Sequence, residues 1–134
     1  MPERTLAVFC CENSGIPALD SMPEPGLRDV VDIVRLPCSG KVEVGHILRS
    51  IERGYSGVLV LGCPLESCTY LRGSHRASRR VERARGILKA AGLSPEMARM
   101  CFVSSVDGYK AAEAIREMLG LPAATEAPQG RSDR

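Results

Sequence analysis

Four short and almost continuous apolar runs along the chain predict β-strands. They lie at about residues 5–10, 30–36, 57–62 and 99–104. Their apolar residues do not alternate with polar ones, as they would in a strand with one face in water. Strands of this kind are typical of a parallel sheet that is covered on both faces.

Between these runs, apolar residues recur at three- and four-residue spacing, which predicts amphipathic helices. Prolines and glycines interrupt residues 11–29, so only a short helix near 16–22 fits there. Two longer helices are expected to end before Gly54 and Gly92, and Ser94 and Asp107 are predicted to cap two further helices. The residues expected to face inward are Val44, Ile47, Leu48, Ile51, Ala77, Val81, Ala84, Leu88, Ala91, Ala111, Ala112, Ile115 and Leu119.

Strands that alternate with helices predict an α/β domain with a parallel sheet. We expect residues 1–120 to form one domain, in which about four strands are flanked by helices in a flavodoxin-like or Rossmann-like arrangement. Residues 121–134 contain almost no bulky apolar side chains and predict a disordered tail. Neither a G-x-G-x-x-G fingerprint nor a P-loop follows the first strand, so nucleotide binding by the usual loops is not expected.

Five of the six cysteines lie where predicted strands end. Cys10 and Cys11 end the first apolar run, Cys38 follows the second, and Cys63 follows the third, with Cys68 five residues further on. The carboxyl ends of parallel strands gather at one edge of a sheet, where ligands bind. Thiolates that meet there suit an iron–sulfur cluster or zinc. The sequence therefore predicts a metal centre at this edge.

An iron–sulfur cluster usually has four thiolate ligands, so one of the five is spare. Aligning the three apolar runs by their ends places Cys11, Cys38 and Cys63 at equivalent positions, with Cys68 completing the set. Cys10 then lies beside the cluster or serves as an alternate ligand.

Three residues of the neighbouring loops are predicted to approach the cofactor. Ser39, Gly40 and Gly62 belong to turn-rich segments whose backbone amides can donate hydrogen bonds to cluster sulfurs. Cys101 opens the fourth apolar run instead, and is expected at the opposite edge as a small buried hydrophobe. Zinc remains an alternative although paired C-x-x-C spacing is missing, and so does a thiol-based sulfur carrier.

Basic side chains crowd residues 72–89, where Glu82 is the only acid. The arginines that share much of one helical face are Arg72, Arg76, Arg79, Arg80 and Arg83. Such a run is most often a solvated face, and the sharper alternative is a docking surface for an acidic protein partner. A net charge of +2 and the lack of interleaved aromatic residues argue against nucleic acid as the partner.

The bulk composition fits a globular domain. The 134 residues are 44% hydrophobic and 25% charged, and no apolar run approaches the ~20 residues that cross a bilayer. The first residues lack a signal-peptide pattern, so we expect a cytoplasmic protein. Thiols stay reduced in that compartment, which makes a disulfide framework the weaker interpretation of the cysteines.

The same residues carry a resemblance to a known family. The chain resembles the small iron–sulfur (delta) subunit of methyl-viologen-reducing, F420-non-reducing hydrogenases over about residues 5–120. The matching stretches are Phe9-Cys10-Cys11, Arg35-Leu36-Pro37-Cys38-Ser39-Gly40-Lys41-Val42, Gly57-Val58-Leu59-Val60-Leu61-Gly62-Cys63, Cys68-Thr69-Tyr70 and Arg79-Arg80-Val81-Glu82.

This resemblance implies a [2Fe–2S] electron-transfer subunit. Such a subunit passes electrons between a hydrogenase or dehydrogenase module and the FAD-containing subunit of a heterodisulfide reductase-type, electron-bifurcating complex. The family commonly has C-C-x-x-C at the end of the first strand, whereas Ser14 stands here in place of the third cysteine. The alternative is a zinc-bound or metal-free adaptor that docks larger subunits through the arginine-rich helix.

Overall fold

A computed structural model provides the structure of the protein, and it describes residues 6–12, 15–23, 25–37, 41–62, 73–104 and 106–120. The strands are β1 (Leu6–Cys11), β2 (Val31–Leu36), β3 (Gly57–Gly62) and β4 (Ala98–Phe102). The helices are α1 (Gly15–Asp20), α2 (Val44–Glu52), α3 (Gly73–Ala90) and α4 (Gly108–Leu119). Two short 3₁₀ helices, Pro25–Val30 and Pro95–Met97, precede β2 and β4. Within these ranges, every helix is too short or too polar to span a membrane.

The strands form one parallel sheet in the order β2-β1-β3-β4. This confirms the predicted α/β class, and the order matches the first four strands of a flavodoxin-like fold. The central strands β1 and β3 are buried along their whole length, whereas the edge strands β2 and β4 are buried only in part.

Two hydrophobic cores cover the two faces of the sheet. The first core lies between the sheet and helices α1 and α4, and the second lies between the sheet and helices α2 and α3. Alternate residues of each central strand serve the two cores, so that Val8 of β1 belongs to the first and Phe9 to the second. The continuous apolar runs of the sequence arise from this double coverage.

Most predicted helix ends are confirmed. Gly54 and Gly92 follow α2 and α3 with φ of 109° and 85°, a left-handed conformation that favours glycine. Ser94 caps the second 3₁₀ helix, because its Oγ accepts the amide proton of Glu96 at 3.1 Å. Asp107 precedes α4 as expected, but its carboxylate does not accept a capping hydrogen bond from the amides of the first turn of α4.

Two predicted details are wrong. The 3₁₀ helix before β2 was not expected, because its first two residues, Pro25 and Gly26, indicated a loop. Strand β4 spans Ala98–Phe102 rather than 99–104. The strand ends early because Asp107 Oδ2 accepts the amide proton of Ser104 at 2.9 Å, which turns the chain toward α4.

Candidate metal centre at the carboxyl edge of the sheet

The strand order places a topological switch point at the carboxyl edge, between β1 and β3, and open α/β sheets have their ligand-binding crevice at such a point. The chain moves from β1 outward to β2, and then returns to the other side of β1 to form β3. The connection after β1 leads to α1 on the first-core face, whereas the connection after β3 leads to α3 on the opposite face. The loops therefore diverge here, at the position where open α/β sheets bind their ligands.

Cys10 and Cys11 end β1 at this crevice, and their side chains differ in environment. The Cys10 side chain belongs to the first core and is fully buried, and its Sγ lies 3.8 Å from the carbonyl oxygen of Val8. The Cys11 Sγ instead accepts the backbone amide proton of Gly15 at 3.3 Å. A sulfur that accepts an amide hydrogen bond is in the environment that stabilises a thiolate ligand.

The start of α1 packs directly on the end of β1. A Cβ atom at Gly15 would lie 3.1 Å from both the Cys10 Cβ and the carbonyl oxygen of Leu61. Contacts this short leave little room for a side chain, so a glycine permits the close approach of helix and sheet. The same approach brings the Gly15 amide within reach of the Cys11 sulfur.

Burial also makes the Cys10 thiol costly to ionise. Burial raises the pKa of the Cys10 thiol to about 12, and the neighbouring Cys11 adds to this effect. Without a metal, Cys10 is therefore a neutral thiol at physiological pH.

The predicted equivalence of Cys11, Cys38 and Cys63 is wrong. In the observed register, Cys11 lies level with Leu36, which precedes Cys38 by two residues in the sequence. Cys10 lies level with Leu61, which precedes Cys63 by two residues, whereas Cys10 precedes Cys11 by one. The alignment of the apolar runs failed because it began the second run at Ile33, whereas β2 begins two residues earlier, at Val31.

The predicted position of Cys101 is also wrong. Cys101 is the fourth of five residues in β4 and pairs with Leu61, which itself pairs with Cys10. It therefore lies near the carboxyl edge, level with Cys10, rather than at the opposite edge. It is half-buried against the first core, and this burial raises the pKa of its thiol. Strand β4 starts at Ala98, directly after a 3₁₀ helix, which moves Cys101 toward the strand's end.

Most predicted ligands lie outside the described residues, namely Cys38, Cys63 and Cys68, as do Ser39, Gly40 and Arg72. Gly62 is described, as the buried last residue of β3, and its carbonyl oxygen accepts the Val103 amide proton at 2.8 Å. Among the described residues alone, no group of three or more His, Cys, Asp or Glu side chains forms a metal site. The predicted ligand set stays a prediction.

Two features near this edge were not predicted. His46 at the start of α2 stacks on Phe9 of β1, with ring centroids 6.4 Å apart, and its Nδ1 accepts the Glu43 amide proton at 3.0 Å. Arg35 of β2 lies 3.5 Å from the carboxylate of Glu12, which follows β1. Both pairs join residues from different elements, and spacing along the sequence carries no signal for such contacts.

The arginines of α3 divide into two groups. Arg80 is half-buried and donates a hydrogen bond to the carbonyl oxygen of Val42 at 2.9 Å. Arg85 donates to the carbonyl oxygen of Ala98 at 2.8 Å, so the two side chains connect α3 to the segment before α2 and to β4. Arg80 therefore belongs to the packing of the fold, although the sequence grouped it with a docking face.

The role of Arg80 predicts a measurable difference from its neighbour. Arg80→Met should lower the free energy of unfolding by about 1–2 kcal/mol, because a charged donor to a partly buried carbonyl is lost. Arg79→Met removes an exposed side chain and should change stability by less than about 0.5 kcal/mol. Urea unfolding of both variants measures the two changes in the free energy of unfolding. Equal changes would contradict the division of the α3 arginines into two groups.

Comparison with known proteins gives matches over nearly the whole described domain. Residues 6–121 match the sequence profile of the family described as methyl-viologen-reducing hydrogenase, delta subunit. The vhu iron-sulfur subunit of the F420-non-reducing hydrogenase from Methanopyrus kandleri is 34% identical over 118 residues, which cover 87% of this chain and 89% of that protein. The subunit of the same name from Methanocaldococcus jannaschii is 32% identical over 115 residues, with 84% and 86% covered.

A further relative is a much longer protein. It is one of the subunits of the ferredoxin/F(420)H(2)-dependent CoB-CoM heterodisulfide reductase of Methanosarcina acetivorans, and it is 29% identical over 89 residues. These residues cover 66% of this chain but only 11% of that reductase subunit. A stretch similar to this chain thus occurs within a single large subunit in one organism and as a separate small iron-sulfur subunit in others.

Proposed function

Because this chain belongs to the delta-subunit family of methyl-viologen-reducing hydrogenases, we propose that it carries a [2Fe–2S] cluster and transfers electrons within a larger complex. The chain is a hydrogenase- and heterodisulfide reductase-related subunit, and its relatives are named iron-sulfur subunits. The proposal adds the type of cluster, its position and its partners.

The position of Cys10 and Cys11 at the β1–β3 crevice is the observation that supports this proposal. They end β1 on one side of the crevice, and Gly62, the residue before Cys63 in the sequence, ends β3 on the other. The proposed ligands are Cys11, Cys38, Cys63 and Cys68, which would supply the four thiolates that a cluster requires.

The residues present fit such a group. Cysteine thiolates are the usual ligands of iron–sulfur clusters, and the Gly15 amide already donates to the Cys11 sulfur. When bound, the cluster would supply reversible one-electron transfer. The chain's own residues would hold Cys11 at the end of β1, where the Gly15 amide proton favours negative charge on its sulfur. Ser39, Gly40 and Gly62 are proposed to act in the same way from the other loops.

The proposed partners are the FAD-containing subunit of a heterodisulfide reductase-type complex and an electron-donating dehydrogenase or hydrogenase subunit. The stretch similar to this chain within the large reductase subunit of Methanosarcina acetivorans supports the first partner. A domain that is carried within a larger chain in one organism is expected to contact that chain where the two are separate. The relatives named as hydrogenase subunits support the second partner.

Metal and sulfide analysis of protein purified without oxygen tests the proposal. We expect about two irons and two acid-labile sulfides per chain, with an EPR signal of a [2Fe–2S] centre after reduction. Zinc in place of iron, or no metal, would refute the proposal. Either result would favour the adaptor alternative. It would also link the loss of the cluster to Ser14, which replaces the third cysteine of the family's C-C-x-x-C.

A further inference from the structure

One face of helix α3 combines exposed arginines with an exposed apolar residue. Arg76, Arg79, Arg83 and Ile87 recur at three- and four-residue spacing, so they fall within about 80° of arc on the helix surface. All four are exposed, and Ile87 retains 42% of its accessible surface. We call these four residues the α3 stripe. The buried face, with Ala77, Val81, Ala84 and Leu88, lies on the other side of the helix.

The charge of the α3 stripe is not neutralised by the described part of the chain. Glu82, the only acid of α3, lies 3.7 Å from Arg85, which is also 3.9 Å from Glu96. No ion pair or hydrogen bond involving Arg76, Arg79 or Arg83 is found among the described residues. The two arginines of α3 that do have partners, Arg80 and Arg85, lie outside the stripe. Three adjacent positive charges therefore face solvent together.

The α3 stripe begins close to the candidate metal centre. Helix α3 starts at Gly73, on the connection that leaves the carboxyl end of β3, so its first turns lie toward that edge. Arg76 and Arg79 occupy these turns, and Ile87 lies ~17 Å beyond Arg76 along the helix axis at 1.5 Å per residue. A protein that covers the stripe would therefore also reach the edge where β1 and β3 end.

We infer that the α3 stripe is the docking surface for an acidic surface of a partner redox subunit. Exposed arginines beside an apolar residue have the composition of a protein–protein interface, where arginine is enriched and complementary charge speeds association. The inference rests on the proposed function only in taking the partner to be a redox subunit. A nucleic acid fits less well because α3 carries no aromatic side chain other than His75 that could stack on bases. A lipid surface fits less well because Ile87 alone supplies the stripe's apolar area.

Charge reversal on the stripe tests this inference. The probe is the purified FAD-containing heterodisulfide reductase-type subunit of the source organism, and the dissociation constant is measured by calorimetry at two salt concentrations. The double variant Arg79→Glu/Arg83→Glu should weaken binding by tenfold or more, and the remaining binding should depend less on salt. The matched controls are Lys89→Glu alone, which changes charge on the same helix outside the stripe, and Arg49→Glu/Lys89→Glu, which equals the test variant in net charge. Both controls should bind within twofold of the original chain.

Several outcomes would overturn the inference. These are unchanged binding by the double variant, an equal loss in the charge-matched control, or no binding by the original chain at low salt. The inference would also be rejected if the double variant lost binding to duplex DNA or to phosphatidylserine vesicles but still bound the FAD-containing subunit as the original chain does. If the double variant does not fold, Arg79→Gln and Arg83→Gln remove the charges singly. Iron content, measured on the same samples, reports the proposed function separately from docking.

Discussion

Replacing Cys11 by alanine is expected to remove iron from the protein, whereas Cys10→Ala is expected to retain it. The Cys11 sulfur accepts the Gly15 amide proton at the end of β1, where the cluster is proposed to bind. The Cys10 side chain points into the first core instead, fully buried beside Val8 and Leu61. For Cys10 to act as a ligand, its sulfur would have to leave that core.

The two variants are compared by iron content and visible spectrum after purification without oxygen. Cys11→Ala should fall from about two irons per chain to nearly none. Cys10→Ala should keep the spectrum and lower the free energy of unfolding by about 1 kcal/mol, because a small buried group is removed. Cys101→Ala is a second control that should also retain iron. Loss of iron in Cys10→Ala alone would reverse the assignment, and retention of iron in the double variant Cys10→Ala/Cys11→Ala would exclude β1 from the ligand set.

The largest effect on stability is expected from Gly108→Ala. Gly108 is the first residue of α4, and a Cβ atom there would lie 2.4 Å from the backbone carbon and oxygen of Ser21. Backbone atoms cannot rotate away, so α4 or the turn after α1 would have to shift. Overpacking of this kind should cost about 3 kcal/mol. A loss of that size should lower the thermal midpoint by roughly 10 °C.

Gly86→Ala is the matched control for this variant. Gly86 lies within α3, is exposed, and has no heavy atom within 4 Å of the added Cβ. Alanine is the better helix former, so the variant should gain about 0.5–1 kcal/mol. Thermal unfolding followed by circular dichroism measures both changes. A loss below about 1 kcal/mol for Gly108→Ala would mean that α1 and α4 are packed less tightly than the structure indicates.

Local patterns in the sequence were sufficient to identify most of the elements and their order along the chain. Continuous apolar runs marked β1 and β3, because a strand covered on both faces has no polar side. Helical spacing marked the inward residues of α2, α3 and α4, except that Ala91 is exposed just beyond α3. Two glycines and a serine marked helix ends. The sequence also predicted thiols at the ends of strands, since position relative to a strand end can be read from neighbouring residues alone.

How these elements meet could be learned only from the folded chain. The order β2-β1-β3-β4 creates the crevice, and the register places Cys101 level with Cys10 rather than at the opposite edge. The fold also gives the neighbours Arg79 and Arg80 different roles, one on the surface and one bonded to Val42. These facts depend on contacts between residues distant in sequence. Local periodicity shows which face of an element is buried but not which element covers it.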